Sequence, residues 1–298
     1  MAKQPGSPPP RGGLVVVDKP GGMTSHDVVA RVRRFAGTRR VGHAGTLDPM
    51  ATGVLLVGIG RATRLLGHLS LHDKRYLATA RLGQTTSSDD AEGVLIESRS
   101  GASITADDVK AAATAFVGEI EQRPPAVSAI KVDGKRAYAL ARAGTEVVLA
   151  SRKVVVTTFN VLDVRAHDDV VDVDLDVTCS SGTYIRALAR DLGDALGVGG
   201  HLTALRRTRV GAFELSQSKT LTQLEESFVM TSLDEVAAAT FARRDLDEAQ
   251  SLTLSHGGRL SASEMGDPPV AAFSPRGVFL ALLEDRGELA CPIAVFVD

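Results

Sequence analysis

The residue whose type and position first suggest chemistry is Asp48, in the stretch GHAGTLDPMATGVLLVGIG from Gly42 to Gly60. It lies in a glycine-rich turn, directly before Pro49 and an apolar run that predicts a strand buried on both faces. A carboxylate at the point where a loop enters the core must be paired or hydrogen-bonded, or its pKa rises. An Asp that caps its own backbone turn is the common alternative, and this stretch alone favours that interpretation.

The motifs that the sequence lacks narrow the chemistry. No GxxxxGK[ST], GxGxxG, HExxH or GxSxG motif is present, which argues against phosphate-loop, dinucleotide, zinc-peptidase and esterase chemistry. The seven histidines show no metal-ligand spacing, and the two cysteines, Cys179 and Cys291, form no CxxC pair. The remaining Asp, Arg and Tyr residues suit one carboxylate that acts as nucleophile or electrostatic stabiliser, held ionised by an arginine.

Length and composition indicate the class of protein. The 298 residues suggest about two domains of roughly 150 residues each. A hydrophobic content of 44% provides a sizeable core, and the formal net charge of -2 means that any nucleic-acid site must be a local basic patch. The N-terminal MAKQPGSPPPRGG predicts a disordered tail over residues 1–12, and no run approaches the ~20 apolar residues of a membrane span. We therefore expect a cytoplasmic protein that does not contact membranes.

Hydrophobic periodicity and capping signals predict the elements that must position these residues. Strands and helices mix without strict βαβ alternation, so we predict an α+β fold with a mixed, mainly antiparallel sheet and flanking helices. Within Val170–Cys179, alternation places valines and a leucine inward and three aspartates toward solvent. The other predicted elements are a strand at Gly13–Pro20, a helix from Thr24 or Ser25 to Gly37, a short helix at Arg61–Leu69, a strand at Lys74–Gly83, a helix capped by Thr105, and a helix starting near Ser181 or Thr183.

Composition shifts suggest the domain organisation. We expect one domain over residues 13–235 and a small β-rich domain over residues 240–298, where short apolar strands alternate with glycines. The basic, proline-containing segment Gln122–Gly144 is interpreted as an inserted loop. No long apolar stripe indicates an interface, so we expect a monomer without a protein partner.

The stretch GHAGTLDPMATGVL resembles the signature of the bacterial tRNA pseudouridine synthases of the TruB type, which act on tRNA position 55. The resemblance extends from Gly13 to Phe213, while the last third resembles a PUA-like RNA-binding domain only in its arrangement. It implies a pseudouridine synthase fold, tRNA as substrate and no cofactor or metal. The other matching stretches, in the same order, are DKPGGMTSHDVV (Asp18–Val29), KRYLATARLG (Lys74–Gly83), QRPPAVSAIKVDGKRAYALARAG (Gln122–Gly144), CSSGTYIRALARDLG (Cys179–Gly193) and LRRTRVGAF (Leu205–Phe213).

The resemblance implies three catalytic residues. Asp48 is similar to the family's essential aspartate, which acts at the sugar C1′ or at the base C6, and the sequence leaves both open. Tyr76 is similar to the tyrosine that stacks on the target uracil and helps to remove the C5 proton, although an ordinary strand tyrosine is the alternative. Arg186 is similar to the arginine that pairs with the catalytic carboxylate, and Arg190, one turn later, is expected to be a surface residue.

The resemblance also implies five substrate-binding residues. His43 is similar to the histidine that enters the RNA loop in place of the flipped base. Tyr184 and Leu205 are expected in the pocket wall, with ordinary core positions as the alternative. Lys19 either supports the Asp48 loop or contacts a phosphate, and Asp90 is expected near the pocket. The family loop after the tyrosine strand often contains T-D-T before a further Asp, whereas this chain has Thr86, Ser87 and Ser88.

A basic cleft completes the sequence-based scheme. We expect Arg31–Arg40, Lys131–Arg142 and Arg206–Arg209 to hold the T-arm of tRNA by its phosphates. One alternative is an RNA-binding or RNA-folding module without catalysis, which intact Asp48, Tyr76 and Arg186 argue against as the sole role. The other is a phosphoryl-transfer enzyme with an aspartyl nucleophile, which would need a magnesium-binding acidic cluster and a phosphate loop, and neither is visible in the sequence.

Overall fold

The structure is a computed structural model that describes residues 11–127, 131–132, 135–136, 149–263 and 269–297. Residues 1–10 of the predicted tail and most of the predicted insertion Gln122–Gly144 lie outside the described residues. The strands are β1 (Gly12–Lys19), β2 (Val41–Ala44), β3 (Thr52–Gly60), β4 (Lys74–Leu82), β5 (Gln84–Thr86), β6 (Leu95–Ser98), β7 (Gly118–Gln122), β8 (Lys131–Val132), β9 (Lys135–Arg136), β10 (Arg152–His167), β11 (Val170–Cys179), β12 (Gly200–Val210), β13 (Phe213–Glu214), β14 (Thr231–Ser232), β15 (Ala242–Asp245), β16 (Leu260–Ser261), β17 (Val270–Phe273), β18 (Phe279–Arg286) and β19 (Leu289–Val295).

Within the described residues, a ten-stranded sheet forms the centre of the fold. Its strand order is β14-β1-β3-β12-β4-β11-β10-β7, with β2 paired to β3 and β13 paired to β12. Neighbouring strands are antiparallel except at the β3–β12 contact, which is parallel. The predicted α+β fold with a mainly antiparallel sheet is confirmed. The β3–β12 contact is important for the site because it brings Arg206 and Arg207 beside the start of β3.

Two helices begin where their capping signals predict, whereas the helix predicted at Arg61–Leu69 is a 3-10 turn at Arg61–Arg64 followed by a helix from Leu66, and the helix Glu248–Ser255 was not predicted. Thr24 and Thr105 cap α1 and α3 through capping boxes with Asp27 and Asp108. The α4 helix begins later than predicted, at Ile185, and its N-cap residue makes no side-chain capping bond. The helices are α1 (Ser25–Ala36), α2 (Leu66–Ser70), α3 (Ala106–Ala113), α4 (Ile185–Ala195), α5 (Leu221–Glu226), α6 (Leu233–Thr240) and α7 (Glu248–Ser255).

The α4 helix uses a distant side chain as its cap, and this explains the wrong prediction of Ser181 or Thr183. Gln122, at the end of β7, accepts a hydrogen bond from Tyr184 N at 2.8 Å and donates one to Tyr184 O at 3.0 Å. The first backbone N–H groups at a helix start have no helical partners, and the outside amide of Gln122 satisfies that of the N-cap residue. The start of α4 is thereby fixed to the central sheet.

The strand that follows the Asp48 loop is buried on both faces, as its apolar run predicts. Leu55, Val57 and Ile59 of β3 face a core cluster that includes α1. Val54 and Leu56 face a second cluster that includes α6 and the C-terminal strands. Alternate residues of a strand point to opposite sides, so a strand covered on both faces has an unbroken apolar sequence.

The aspartates of β11 are covered by arginines, which differs from the predicted open polar face. Asp176 is buried, and its carboxylate accepts two hydrogen bonds from Arg75, at 2.8 and 2.7 Å. Cross-strand pairs of opposite charge stabilise neighbouring strands, and the arginine stems shield the carboxylates from water. The other pairs on this face are Asp172 with Arg81 and Asp174 with Arg165.

A C-terminal β domain packs against the outer face of β1 and β3. Its sheet has the order β15-β17-β18-β19-β16. Phe279 and Phe296 pack with Leu14 in one cluster, and Phe279 N donates to Asp234 Oδ1 of α6 at 2.7 Å across the junction. Among the residues that the structure describes, no helix is long and apolar enough to cross a membrane.

Candidate active site

The loop between β2 and β3 holds Asp48 in a fixed position. Gly45 has φ = 75°, a left-handed conformation that a side chain would disfavour, and it begins the turn. Ser25 Oγ of α1 accepts a hydrogen bond from Leu47 N at 2.9 Å and donates one to Leu47 O at 3.2 Å. The Asp48 side chain keeps 32% of its surface exposed, so a rigid loop presents a carboxylate that a substrate can reach.

Lys19 stabilises the Asp48 loop through hydrogen bonds to backbone carbonyl groups. It is fully buried, and its Nζ donates to the carbonyl oxygens of Pro20, Met23 and Pro49 at 2.8, 2.6 and 3.1 Å. An ammonium has three donors, so these bonds leave none for a phosphate. Burial lowers the pKa of Lys19 to about 8, although the Asp48 charge opposes this shift. Of the two sequence-based interpretations, the geometry favours loop support.

Arg207 is a second buried support that sequence analysis missed. Its Nε donates to Val54 O at 2.7 Å and its Nη2 donates to Gly45 O at 3.0 Å, so it joins the two ends of the Asp48 loop. The expectation that Arg206–Arg209 contact phosphate is wrong for Arg207, which is 1% exposed. Arg206 and Arg209 are ion-paired with Asp18 and Asp73. Strand alternation of β12 was the signal that could have shown that Arg207 faces inward.

Arg186 of α4 joins Asp48 to Asp90. Its Nη2 donates to Asp48 Oδ1 at 3.1 Å, and its Nε lies 3.0 Å from Asp48 Oδ2 without the alignment of a hydrogen bond. Its Nη1 lies 3.2 Å from Asp90 Oδ2 and donates to Ser88 O at 2.9 Å. The structure therefore places one nearly buried guanidinium between two carboxylates. This arrangement joins Asp48, Asp90 and Arg186, which the sequence analysis singled out.

Burial raises the pKa of Asp48, and the adjacent Arg186 charge counteracts this shift. Asp90 adds a like charge, which raises the pKa further. Asp90 itself is held by Ser88 Oγ, which donates to Asp90 Oδ1 at 2.5 Å, and by Glu92 N at 3.1 Å. Ser88, at a position where the family motif differs, is thus part of the support of the site.

Tyr76 lies on β4, directly opposite Arg207 in the pairing of β4 with β12. Its side chain is buried, and burial raises the pKa of Tyr76, while the charge of Arg207 and its hydrogen bond to the phenol oppose this shift. The phenol is therefore protonated at neutral pH. Leu205, two residues before Arg207, is buried beside Ala78 in the same pairing and belongs to the same apolar cluster as Tyr76.

His43 lies on β2, next to His26 of α1. Their rings meet edge to face with centroids 5.4 Å apart. Burial lowers the pKa of His43 to about 4, with smaller contributions from the charges of His26 and Arg207. Within the described part of the chain, His43 Nδ1 is buried without a hydrogen-bond partner. His43 is thus a neutral ring with a free polar atom, at the start of the loop that carries Asp48.

The other predicted site residues have structural partners. Tyr184 is the N-cap residue of α4, two positions from Arg186, and the Arg152 guanidinium lies 4.8 Å from the centre of its ring. Arg190 was expected to be a surface residue, and this is wrong. Its side chain is 15% exposed and forms ion pairs with Asp89 at 2.9 Å and Asp191 at 2.7 Å.

The loop that contains Asp90 is strained at Asp89. Asp89 has φ = 58°, a left-handed conformation that costs a residue with a side chain on the order of 1–3 kcal/mol. Its carbonyl oxygen accepts a hydrogen bond from Leu202 N at 3.0 Å. Surrounding contacts must supply the energy that holds this conformation, and the ion pair with Arg190 is one of them.

Comparison with known proteins identifies the family. Residues 33–185 match the model of the TruB family pseudouridylate synthase N-terminal domain. Residues 186–249 match that of the tRNA pseudouridylate synthase B C-terminal domain, and residues 241–297 that of the tRNA pseudouridine synthase II C-terminal region. Two similar relatives are each named tRNA pseudouridine synthase B. The one from Arthrobacter sp. (strain FB24) is 53% identical over 95% of this chain and 96% of its own length, and the one from Thermobifida fusca (strain YX) is 57% identical over 95% and 98%.

Solved structures agree with this assignment at the level of the fold. A Cbf5–Nop10–Gar1 complex contains a chain with a TM-score of 0.74 and 26% identity, which covers 96% of this chain and 85% of that chain. An H/ACA RNP bound to a substrate RNA containing 2′-deoxyuridine contains one with a TM-score of 0.73 and 24% identity, over 100% and 92%. The sequence identity to the curated relatives decides the family. The chain belongs to the TruB family of bacterial tRNA pseudouridine synthases.

Proposed function

We propose that the protein converts uridine 55 in the T-loop of tRNA into pseudouridine. The observation that carries this proposal is the partly exposed Asp48 carboxylate on a rigid loop, held by Arg186 and close to buried Tyr76. A single carboxylate kept in place by an arginine suits a reaction in which positive charge develops on a sugar. The names of the relatives, tRNA pseudouridine synthase B, support tRNA as the substrate.

Access to the uridine requires that it leave the folded T-loop. Enzymes that act on a base within structured nucleic acid rotate the nucleotide into a pocket, which costs stacking energy. His43 fills the vacated space with its neutral ring. Stacking of a ring on a base is worth ~1–3 kcal/mol, which offsets part of the cost of extrusion.

The chemical step then begins at Asp48. The carboxylate attacks the sugar C1′ or the base C6, and the C1′–N1 bond breaks. Arg186 keeps the carboxylate ionised and oriented before attack. Breaking the bond at C1′ leaves an electron pair on the uracil, so the departing base stays in the pocket as an anion or an adduct.

The base must rotate and rejoin the sugar through C5 without leaving. The ring of Tyr76 stacks on the uracil and Leu205 forms an apolar wall, while Tyr184 closes the side of the pocket near α4. In the C1′ route the C5–C1′ bond forms as the bond between Asp48 and C1′ breaks, and in the C6 route Asp48 leaves C6 after the C5–C1′ bond has formed. The C5 proton is then lost and N1 takes up a proton. The product is an isomer of the substrate, so the reaction consumes no oxidant, water or cofactor.

Several surfaces serve RNA binding in this scheme. Residues 13–235 form the catalytic unit, and residues 240–298 form a PUA-like unit that contacts the RNA. The exposed Arg31, Arg34 and Arg39, on α1 and just after it, contact phosphates of the T-arm. The inserted segment 122–144 contributes to RNA binding. The protein acts as a monomer in the cytoplasm.

Position-resolved detection of pseudouridine tests the proposal. Purified protein is incubated with a full tRNA transcript and with the same transcript carrying cytidine at position 55, without added metal or cofactor. We expect pseudouridine at position 55 of the first transcript and none in the second. Binding of both transcripts without pseudouridine would instead favour the RNA-folding function, and pseudouridine at another position would refute the T-loop assignment.

A further inference from the structure

Two arginines on one face of α4 hold the loop that carries Asp90. Arg186 and Arg190 are four residues apart, so their side chains lie one above the other on the helix. Arg186 binds Ser88 O and the Asp90 carboxylate, while Arg190 Nη1 donates to Asp89 Oδ2 at 2.9 Å. Arg186 thus binds Ser88 and Asp90, and Arg190 binds Asp89, the residue between them.

The middle residue of this turn is the strained one. Asp89 has φ = 58°, and this conformation points Ser88 O and the Asp90 carboxylate toward the same guanidinium. A relaxed φ at position 89 would rotate one of these two groups away, because both are directed by the intervening peptide units. The turn therefore presents both acceptors to Arg186 only while Asp89 stays in the left-handed region.

Arg190 is placed to hold Asp89 in the left-handed conformation. Its Nε donates to Asp191 Oδ1 at 2.8 Å and its Nη2 donates to Arg123 O at 2.8 Å, which fixes the guanidinium to the helix and to the end of β7. Its remaining nitrogen, Nη1, donates a hydrogen bond to Asp89 Oδ2. Since both Arg190 and Asp89 are largely shielded from water, at 15% and 17% side-chain exposure, their attraction is screened less than that of a surface pair.

We propose that Arg190 and Asp89 form a positioning pair that holds the Ser88–Asp90 turn in the geometry in which Arg186 is aimed at Asp48. The proposal rests on the proposed isomerisation at Asp48. Without the pair the turn relaxes, and Arg186 loses two of the acceptors that fix its plane. The isomerisation step then slows while RNA affinity changes little, because the donors of Arg190 and the Asp89 carboxylate are engaged in contacts within the protein.

Substitutions at position 89 separate positioning from general stability. Asp89→Ala removes the pair and keeps a Cβ in the left-handed region, whereas Asp89→Gly removes the pair together with the strain. Arg190→Gln removes the pair from the other side. The matched control is Arg165→Gln, since Arg165 of β10 also bridges two aspartates, Asp163 of β10 and Asp174 of β11.

The readouts are the single-turnover rate of tritium release from [5-³H]uridine tRNA, the Kd for the same tRNA, and Tm. We expect Asp89→Ala and Arg190→Gln to slow the rate by about 10- to 100-fold with Kd within about threefold, because a small misplacement at a reacting group has effects of this size. Asp89→Gly should recover much of the rate. The double variant Asp89→Ala/Arg190→Gln should be no slower than either single variant.

Two results would overturn the positioning pair. One is an unchanged single-turnover rate in both single variants, and the other is a rate loss that is fully additive in the double variant. If Tm falls so far that Asp89→Ala does not fold, Asp89→Asn, which is isosteric and tolerates a left-handed φ, is measured in its place. Absence of tritium release by the wild type would refute the proposed function instead, so the two failures are distinguishable.

Discussion

Arg186 Nη2 donates a hydrogen bond to Asp48 Oδ1 at 3.1 Å, across 138 residues of sequence. The same guanidinium lies 3.2 Å from Asp90 Oδ2. One cation thus serves two carboxylates, of which one is exposed to a substrate and the other is buried. The buried Asp90 carboxylate holds the Arg186 guanidinium in place, and this guanidinium in turn orients the exposed Asp48 carboxylate.

Arg186→Lys tests whether the planar guanidinium is needed. A lysine keeps the charge but has no rigid fork with which to bind Asp48, Asp90 and Ser88 O at the same time. We expect the single-turnover rate to fall by about 10²–10³-fold with little change in Kd. The control Arg165→Lys should change neither. Equal rates for wild type and Arg186→Lys would show that charge alone is sufficient.

The pH profile tests the ionisation of Asp48. The reactive form is the carboxylate, and burial raises the pKa of Asp48, so kcat/KM should fall as pH falls through a value above the ordinary 3.8. Asp90→Asn removes a like charge and lowers the pKa of Asp48. The acidic limb of its profile should therefore lie at lower pH, whatever its maximal rate. A limb that stays in place or moves to higher pH would contradict this assignment.

Substitution of Tyr76 separates the ring from its hydroxyl group. Burial raises the pKa of Tyr76, so the phenol is protonated at neutral pH and its main contribution is the ring. Tyr76→Phe should retain more activity than Tyr76→Leu, which loses base stacking worth ~1–3 kcal/mol. Single-turnover rates of both variants decide the order. If Tyr76→Phe is as slow as Tyr76→Leu, the hydroxyl group carries the function.

His43 should act as a neutral ring. Its pKa is about 4 because of burial, so protonation does not occur near neutral pH. We expect tRNA binding to show no transition attributable to this histidine between about pH 6 and 8, and His43→Ala to raise Kd by about 5- to 150-fold through lost stacking. His167→Ala, an exposed histidine on β10, is the control. A binding transition that disappears in His43→Ala would contradict the neutral assignment.

Local signals predicted much of the fold. The N-cap threonine and the left-handed Gly37 define α1, and the unbroken apolar run of β3 identifies a strand covered on both faces. Asp48 and Arg186 were found because each lies in a stretch that resembles a family motif. The structure brings these two residues into contact, although their catalytic roles remain predictions.

The supports of the site could not be predicted because each depends on a distant part of the chain. Arg207 reaches Gly45 across 162 residues, and Arg190 reaches Asp89 across 101. In sequence, Arg207 belongs to a basic segment that was expected to contact phosphate, and Arg190 lies on a helix where it was expected to be a surface residue. Alternation along β12 could have indicated that Arg207 faces inward, but the partners of the two arginines follow only from the β3–β12 contact and from the position of α4.

The most direct test of the central claim is tritium release from [5-³H]uridine tRNA by wild type and by Asp48→Asn, with Asp172→Asn as the control. Asp172 is also a shielded carboxylate paired with an arginine, Arg81, and it lies away from the site. We predict release by wild type and Asp172→Asn, and none by Asp48→Asn although it binds tRNA with the affinity of wild type. Release by Asp48→Asn at the wild-type rate would contradict the account.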